Sequence, residues 1–178
     1  MEIALLSPDS IRIKGKTSSI VINPQNKSVP LQAAILIGVQ QGKNFVSDEG
    51  ITIDGPGEYE VGGIKISGTR GKEASLDSAR QEVVYSMTVD GVAVAIGTLT
   101  ALSAAQQKIK EHNIVVALSL SSMEASFITS IAVNSVLFYG TTASEVVSNF
   151  AKEGVKEMSK YTTTLDKLPQ EMETILLK

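Results

Sequence analysis

Carboxylates are the reactive side chains that this sequence concentrates most clearly in one stretch. Five of them fall between positions 48 and 60, namely Asp48, Glu49, Asp54, Glu58 and Glu60. Carboxylate oxygens are the ligands that Mg²⁺ and Ca²⁺ prefer. EF-hand spacing is absent, however, and strand alternation puts Glu58 and Glu60 on one face while Asp54 lies in a turn. We therefore favour solvated side chains over a cation site, and we keep Asp54, Glu58 and Tyr59 as candidate contacts for a ligand or partner.

Histidine and cysteine, on which much metal and nucleophile chemistry depends, are almost absent. The chain contains no Cys and a single His, His112. A protein zinc site needs three or four ligands drawn from His, Cys and carboxylates. His112 falls at the end of a predicted helix, where the helix dipole favours it and where we expect it to be exposed. We predict no metal and no other cofactor.

Nucleophile and nucleotide motifs are also missing. No G-x-S-x-G elbow occurs, and Gly15-Lys16-Thr17 lacks the earlier glycine of a P-loop because Ser10 holds that position. Gly55 and Gly57 are followed by Gly62, which is the wrong spacing for a dinucleotide-binding fingerprint. A lysine Schiff base or a catalytic carboxylate pair depends on geometry, so both stay open.

The charge pattern argues against a polyanionic partner. The formal net charge is −3 and aromatic residues make up 4% of the chain, so we expect neither nucleic acid nor an anionic membrane surface as a partner. Arg12, Lys14 and Lys16 alternate with other residues near the start. They could bind an anion, but the solvated face of an antiparallel strand pair is the favoured interpretation.

The size and composition are those of one globular domain. The chain has 178 residues, of which 43% are hydrophobic and 20% charged, which predicts a single domain over residues 1–178. Its first ten residues lack the basic and apolar regions of a signal peptide. No apolar run reaches the roughly 18 residues that a membrane-spanning helix needs. We expect a cytoplasmic protein.

The elements that position these side chains are strands in the first half of the chain. Asp54-Gly-Pro-Gly57 predicts a sharp chain reversal, because Gly tolerates positive φ and Pro fixes φ. Gly62-Gly63 predicts a kink where the next strand begins, and Asp90-Gly91 a two-residue hairpin. Residues 40–44 and Gly68–Arg80 are predicted loops. Apolar patterns predict strands at Glu2–Leu6, Ile11–Lys14, Ser18–Ile22, Ala33–Val39, Ile51–Ile53, Val61–Ile66, Val83–Thr88 and Val92–Ile96.

The second half alternates between helices and strands. Helices are predicted at Ala101–His112 with Thr100 or Ser103 as cap, from Ser121 or Ser122 to Ala132, and from Thr141 or Thr142 to Gly154. Strands are predicted at Ile114–Leu120, Ser135–Tyr139, Lys156–Leu165 and Glu173–Leu177. Meandering strands followed by this alternation indicate an α/β or α+β layered domain.

The stretch IDGPGEYEVGGIKISG, from Ile53 to Gly68, resembles a characteristic segment of the metallo-β-lactamase superfamily, in particular its ascorbate-phosphate-lactonase-like zinc hydrolases. The opening residues resemble that branch's "LGHSCFRIKGKG", and the segment from Asp90 to Gly97 resembles its "DGIRICHLGD". Asn23-Pro24 stands where the branch usually has Asp-Pro. This resemblance implies a four-layer αββα sandwich for the whole chain.

The positions that carry the metal ligands in that branch are occupied by other residues here. An HxHxDH signature is expected after the strand Ala33–Val39, and the chain reads GVQQGKN at residues 38–44. Ser7-Pro8-Asp9 replaces the opening His motif. Thr98 stands where the branch has the carboxylate that bridges two metals, and a neutral hydroxyl cannot do this. Tyr139-Gly140 stands where the last His ligand is expected.

We therefore predict a non-catalytic pseudo-hydrolase whose sandwich serves as a binding or assembly module. We expect it to act as a homo-oligomer or with another protein as partner, and Thr98 joins the candidate contacts. The alternative is a metal-independent or unusually metallated hydrolase that acts on a phosphorylated small molecule.

Overall fold

The computed structural model describes residues 1–24, 35–39, 50–71, 82–122, 125–151 and 153–178. Two predicted features therefore lie outside the described residues: the carboxylates Asp48 and Glu49, and the loop at residues 40–44. Most of the predicted loop Gly68–Arg80 lies outside them as well.

A six-stranded sheet forms one layer, in the order β13-β1-β2-β3-β4-β5. β13, β1, β2 and β3 pair antiparallel, whereas β3, β4 and β5 run parallel. Isoleucines at alternate positions of β2 and β3 turn one face of this sheet towards the interior. The strands are β1 (Glu2–Ser7), β2 (Ser10–Lys14), β3 (Ser19–Ile22), β4 (Ile35–Ile37), β5 (Ile51–Ile53) and β13 (Lys160–Thr162).

An eight-stranded sheet packs against it, in the order β12-β14-β11-β10-β9-β8-β7-β6. The strands from β12 to β9 run parallel, and β8, β7 and β6 continue the sheet as an antiparallel meander. The strands are β6 (Gly57–Val61), β7 (Ile64–Arg70), β8 (Val83–Val89), β9 (Val92–Thr98), β10 (Ile114–Leu118), β11 (Ser135–Tyr139), β12 (Lys156–Met158) and β14 (Glu173–Leu177).

Helices cover the outer face of the second sheet. These are α1 (Leu99–Ala104), α2 (Ala143–Phe150) and a 3₁₀ turn at Ser126–Ser130. Side chains alternate along β10, so that Val115 and Ala117 pack with the helices while Val116 and Leu118 pack between the sheets. A small buried cluster of Val21 and Leu36 lies on the other face of the first sheet. The predicted layered α/β sandwich is confirmed.

The glycine-rich stretch that opens the second sheet is arranged differently from the prediction. Asp54–Gly57 does not reverse the chain within a sheet but carries it from β5 of the first sheet to β6 of the second. The reversal comes at Gly62 and Gly63, with φ of +57° and +77°, so the predicted strand Val61–Ile66 is divided between β6 and β7. Two consecutive positive φ angles are those of a type I′ hairpin turn, which consecutive glycines adopt readily.

The other hairpin prediction is confirmed, and the predicted closing strand is split. Asp90 and Gly91 have φ of +51° and +82° and join β8 to β9. The predicted strand Lys156–Leu165 becomes β12 in one sheet and β13 in the other. β7 also continues to Arg70, into the predicted loop.

The predicted helices are shorter in the structure. α1 covers Leu99–Ala104, and its N-cap is Thr98 rather than Thr100 or Ser103. The helix predicted up to Ala132 is replaced by the 3₁₀ turn. Ala- and Ser-rich runs have adequate helix propensity, but without packing on several turns they do not extend.

Candidate functional site at the rim of the sheets

Both sheets present the ends of their parallel strands at one edge of the sandwich. β3 and β4 end there in the first sheet, and β9, β10 and β11 end there in the second. Val83 donates its N–H to the Val39 carbonyl at 3.0 Å and so joins the two sheets at this edge. Ligands of α/β proteins bind at the carboxyl ends of parallel strands, so this is the candidate site. We call it the rim, formed by residues 7–9, 23, 38–39, 82, 97–98, 118–119 and 139–142.

Asn23 holds three segments of the rim together. It is fully buried, and its φ of +48° is one that Asn tolerates better than most residues. Its N–H donates to the Ile37 carbonyl at 2.8 Å, and its Oδ1 accepts from the Val39 N–H at 3.2 Å. Its Nδ2 donates to the Asp9 carbonyl at 3.4 Å. Because an aspartate could not donate this last bond, the amide suits this position.

Thr98 lies at the end of β9 and is buried. Its hydroxyl accepts from the Ala101 N–H at 3.2 Å, which caps α1, and donates to Glu82 Oε2 at 2.7 Å. The same hydroxyl thus satisfies a helix N–H and a carboxylate. Sequence reasoning placed Thr98 among the candidate contacts but missed this cap, because an apolar strand runs straight into the helix.

The other three candidate contacts lie around the crossover from β5 to β6. Tyr59 donates its hydroxyl to the Gly55 carbonyl at 2.9 Å, and the buried Tyr85 donates to the same oxygen at 3.2 Å. Asp54 is exposed, and Glu58 is exposed on the edge strand β6, where it accepts from Ser67 Oγ at 2.6 Å. The structure therefore does not gather Asp54, Glu58, Tyr59 and Thr98 into one cluster, since β7 and β8 separate β6 from β9.

Hydroxyl groups that the sequence did not single out are buried at the rim without hydrogen-bond partners in the described structure. They are Ser7 Oγ, Ser119 Oγ, Tyr139 Oη and Thr142 Oγ1. Burial raises the pKa of Tyr139, and the negative charge of Asp9 raises it further. Unpartnered buried polar atoms are rare in folded proteins. The sequence feature that could have indicated these hydroxyls is the polar residue that follows or ends each apolar strand.

Comparison with solved structures matches nearly the whole chain, although no protein-family model and no curated protein matches it. A protein from Thermotoga maritima, assigned as a Zn-dependent hydrolase of the metallo-β-lactamase superfamily, has a TM-score of 0.70 and 16% identity over 99% of this chain and 97% of its own. A metallo-β-lactamase fold protein from Bacillus subtilis has a TM-score of 0.62 and 6% identity over 98% and 95%. A protein from Parabacteroides distasonis, assigned as a metal-dependent hydrolase, has a TM-score of 0.55 and 14% identity over 82% and 86%.

This chain has the metallo-β-lactamase fold. At these identities the comparisons establish the architecture, and the chemistry of the rim has to be argued from its own residues.

The donor atoms at the rim of this metallo-β-lactamase fold do not fit a metal ion. Across the described ranges, no group of three or more His, Cys, Asp or Glu side chains is placed to share one. Asp9 and Glu82 are the rim carboxylates, and Glu82 accepts the Thr98 hydroxyl. The resemblance places the HxHxDH signature at residues 38–44, which contain no His; residues 40–44 of this segment lie outside the described residues. A zinc hydrolase site needs three protein ligands and an open position.

The single histidine lies at the opposite edge of the second sheet. His112 comes two residues before β10 begins, whereas the rim lies where β10 ends. It is half-buried rather than exposed at a helix end as predicted, because α1 already stops at Ala104. Burial lowers the pKa of His112, and its backbone N–H donates to the Ile109 carbonyl at 3.2 Å.

The basic side chains of β2 lie on the outward face of the first sheet. Arg12 pairs with Glu2 at 3.5 Å, and Lys160 of β13 reaches the same carboxylate at 3.4 Å. Lys14 is exposed. This arrangement is the solvated strand face that the alternation predicts. In the described part of the chain, no helix is both long and apolar enough to cross a membrane.

Proposed function

We propose that this chain is a non-catalytic protein with the metallo-β-lactamase fold that serves as a cytoplasmic binding or assembly module. Thr98 is the observation that supports the proposal most strongly. Its hydroxyl stands where the resemblance places a bridging carboxylate, and it is already used to cap α1 and to bind Glu82.

Asn23 supports the proposal in the same way. The resemblance places an aspartate there, and the side-chain amide of Asn23 instead donates to the Asp9 carbonyl and accepts from the Val39 N–H. Both neutral groups hold the rim by bonds that need a donor and an acceptor in one side chain, which an ionised carboxylate does not offer. At the rim, Asn23 therefore ties together segments of the first sheet and Thr98 ties α1 to the start of β8, and neither side chain offers a carboxylate for a metal ion.

Metal content tests the proposal directly. The full chain would be incubated with Zn²⁺ or Mn²⁺, desalted and submitted to elemental analysis, with turnover of p-nitrophenyl phosphate measured on the same samples. We expect less than about a tenth of an equivalent of metal and no turnover, because too few ligands are present. One or two tightly held equivalents accompanied by turnover would contradict the proposal.

Two variants locate any metal that is retained. Asp9→Asn and Glu82→Gln remove the rim carboxylates, whereas Asp48→Asn with Glu49→Gln removes the two in residues 40–49. Metal lost only in the rim variants, together with turnover, would identify a catalytic site at the rim. Metal that survives the rim variants and supports no turnover would leave the proposal in place.

The module role predicts self-association or a protein partner. Light scattering after size exclusion would measure the mass of the 178-residue chain across a concentration series. We expect a homo-oligomer, or else a monomer that binds a defined protein partner in an affinity-capture experiment. A monomer without such a partner at cellular concentration would contradict the assembly part of the proposal.

The alternative function is metal-independent hydrolysis of a phosphorylated small molecule. The unpartnered hydroxyls of Ser119 and Tyr139 favour it, because buried polar atoms without partners often mark functional sites. Turnover of a phosphomonoester in the presence of EDTA, lost in Ser119→Ala at unchanged stability, would establish this alternative and displace the proposal above.

A further inference from the structure

The two sheets have four edge strands, and three of these strands carry exposed charges. The edges of the first sheet are β13 and β5, and those of the second sheet are β12 and β6. An edge strand offers backbone N–H and C=O groups to another chain, and charged side chains on the strand discourage such pairing. The exposed charges are Lys160 on β13, Lys156 and Glu157 on β12, and Glu58 and Glu60 on β6.

The strand β5 has no charged residue and exposes a large apolar side chain. Its sequence is Ile51-Thr-Ile53. Ile51 is 53% exposed, whereas Ile53, which lies on the same face of the strand, is 2% exposed and belongs to the core between the sheets. Ile51 also pairs in register with the buried Ile35 of β4. The inner face of the first sheet is thus apolar up to its β5 edge, where a second apolar surface would cover Ile51.

The backbone of Thr52 is directed towards the open edge of β5. The Ile53 carbonyl accepts the N–H of Gly38, which follows β4, at 2.9 Å. Successive residues of a strand direct their N–H and C=O groups to opposite sides, so those of Thr52 face away from β4. Thr52 is exposed, and no strand in the described ranges pairs with β5 on that side. This edge therefore has backbone groups available for another strand.

The edge of β5 is complementary to itself. In an antiparallel pair of β5 strands centred on Thr52, each Thr52 would exchange two N–H···O bonds with the Thr52 of the other copy. Threonines directly opposite each other are a favourable cross-strand pair. Ile51 would lie opposite Ile53, which joins the two apolar inner faces, and the exposed Asp54 would lie opposite Gly50. No like charges would oppose each other among these residues.

The edge of β6 does not have this property. An antiparallel pair of β6 strands centred on Tyr59 would place Glu58 of each copy opposite Glu60 of the other. Like charges directly opposite each other destabilise a strand pair. Of the two strands that flank the crossover between the sheets, β5 is therefore suited to self-pairing and β6 is not.

We infer that a second copy of this chain pairs with β5 through its own β5, across a two-fold axis at Thr52. The two six-stranded sheets would then form one continuous sheet, and the isologous contact would close at a dimer. This inference rests on the proposed function, because it names the partner and the surface of the assembly module. The strand has three residues, so the contact is small and the dimer should dissociate on dilution.

Sedimentation velocity of the full chain over a concentration series tests the inference. Wild type should change from monomer to dimer as the concentration rises. Ile51→Lys should raise the dimer Kd at least about tenfold, because it places a charge beside Ile53 of the other copy. Leu165→Lys is the matched control, since Leu165 is 55% exposed but lies near Gly91 of the β8–β9 hairpin. It should leave the Kd unchanged.

Two further variants examine the backbone pairing at Thr52. Thr52→Pro removes an N–H that faces the open edge, and proline is tolerated there, so the variant should fold as a monomer. Thr52→Cys introduces the only cysteine of the chain. Opposite Cα atoms in a hydrogen-bonded pair are about 5.5 Å apart, within reach of a disulfide. Mild oxidation should therefore link Thr52→Cys into dimers, and Glu58→Cys on β6 should remain largely unlinked.

The contrary outcomes separate this inference from the proposed function. A dimer with an unchanged Kd in both Ile51→Lys and Thr52→Pro would overturn the β5 contact, while the assembly role would stand through another surface. A wild type that stays monomeric but binds a defined protein partner would also overturn the β5 contact alone. A monomer without any such partner would contradict both. Circular dichroism spectra like that of wild type should show that the variants are folded.

Discussion

Single side chains at the rim tie its segments together through hydrogen bonds. Asn23 and Thr98 each use a donor and an acceptor within one side chain. Each of these bonds links two segments of the chain that meet at the rim. An ionised carboxylate at either position would have acceptors only. It could not donate a hydrogen bond to the Asp9 carbonyl or to the Glu82 carboxylate.

Thr98→Val should lower the free energy of unfolding by about 2 kcal/mol. The change removes the cap of α1, worth about 1 kcal/mol, and leaves Glu82 without this donor. Thr98→Ser keeps the hydroxyl and loses one methyl group, so its cost should stay below about 1 kcal/mol. Urea unfolding of the two variants measures the difference. Equal destabilisation would mean that the hydroxyl contributes little.

The individual residues of the rim could be predicted only in part from the sequence. The sequence predicts that the metal ligands are missing, because other residues stand at the positions that the resemblance matches, and this stays a prediction. The buried hydroxyls of Ser119, Tyr139 and Thr142 could not be predicted, because serine and threonine at strand ends are normally solvated or capping. Their lack of partners arises from packing between segments far apart in the chain.

Two turns of similar composition have different roles at the scale of elements. Asp54–Gly57 passes the chain between sheets and is held by the hydroxyls of Tyr59 and Tyr85, which donate to the Gly55 carbonyl. Gly62-Gly63 makes the hairpin and touches the first sheet, because Ser18 Oγ donates to the Gly62 carbonyl at 2.7 Å. The hairpin therefore also connects the two sheets.

Gly62→Asn and Gly63→Asn should differ in stability although they change neighbouring residues of one turn. Asn tolerates positive φ, so the backbone cost is similar at both positions. A Cβ at Gly62 would lie 2.7 Å from Ser18 Oγ and displace that hydroxyl, whereas nothing lies within 4 Å at Gly63. We expect Gly62→Asn to cost roughly 1 kcal/mol more in thermal or urea unfolding. Equal costs would show that the contact with Ser18 is not stabilising.

Elements with strong local signals were predictable. Alternating isoleucines predicted β2 and β3, and Asp90-Gly91 predicted the hairpin between β8 and β9. The split of Lys156–Leu165 was not predictable, because the chain passes from β12 in one sheet to β13 in the other without glycine or proline between them. Only the pairing of each strand with a distant partner, β14 or β1, determines where the first ends.

At the scale of the whole molecule, a polar network joins the two sheets at the edge opposite the rim. Ser135 of β11 shares a hydrogen bond of 2.9 Å with Tyr161 of β13, and donates to Glu173 of β14 at 3.2 Å. Lys156 of β12 completes the network by an ion pair with Glu173. The two sheets are thus joined at the rim by the backbone bond from Val83 to Val39 and at the other edge by a charged network.

This network should make the stability depend on pH in the acid range. Burial alone would raise the pKa of Glu173, but the hydrogen bonds from Lys156, Tyr161 and Ser135 and the charge of Lys156 together lower it. A carboxyl with a depressed pKa stabilises the fold above its unfolded pKa of about 4.3, and this contribution is lost as the pH falls through the folded pKa. As the pH falls below about 4.3 and through the folded pKa, therefore, the stabilities of wild type and Glu173→Gln should converge.

At neutral pH, Glu173→Gln should lower the free energy of unfolding by roughly 1–3 kcal/mol, because a charged hydrogen-bond acceptor with 15% side-chain exposure is lost. Glu157→Gln is the matched control, since its pair with Lys178 is about half exposed and a surface pair contributes less than about 1 kcal/mol. Urea unfolding of the three proteins between pH 3 and pH 8 measures both effects. If the free energy of unfolding of Glu173→Gln equalled that of Glu157→Gln at every pH, the network would not stabilise the sandwich. The bond between the sheets at the rim would then be the more important polar connection.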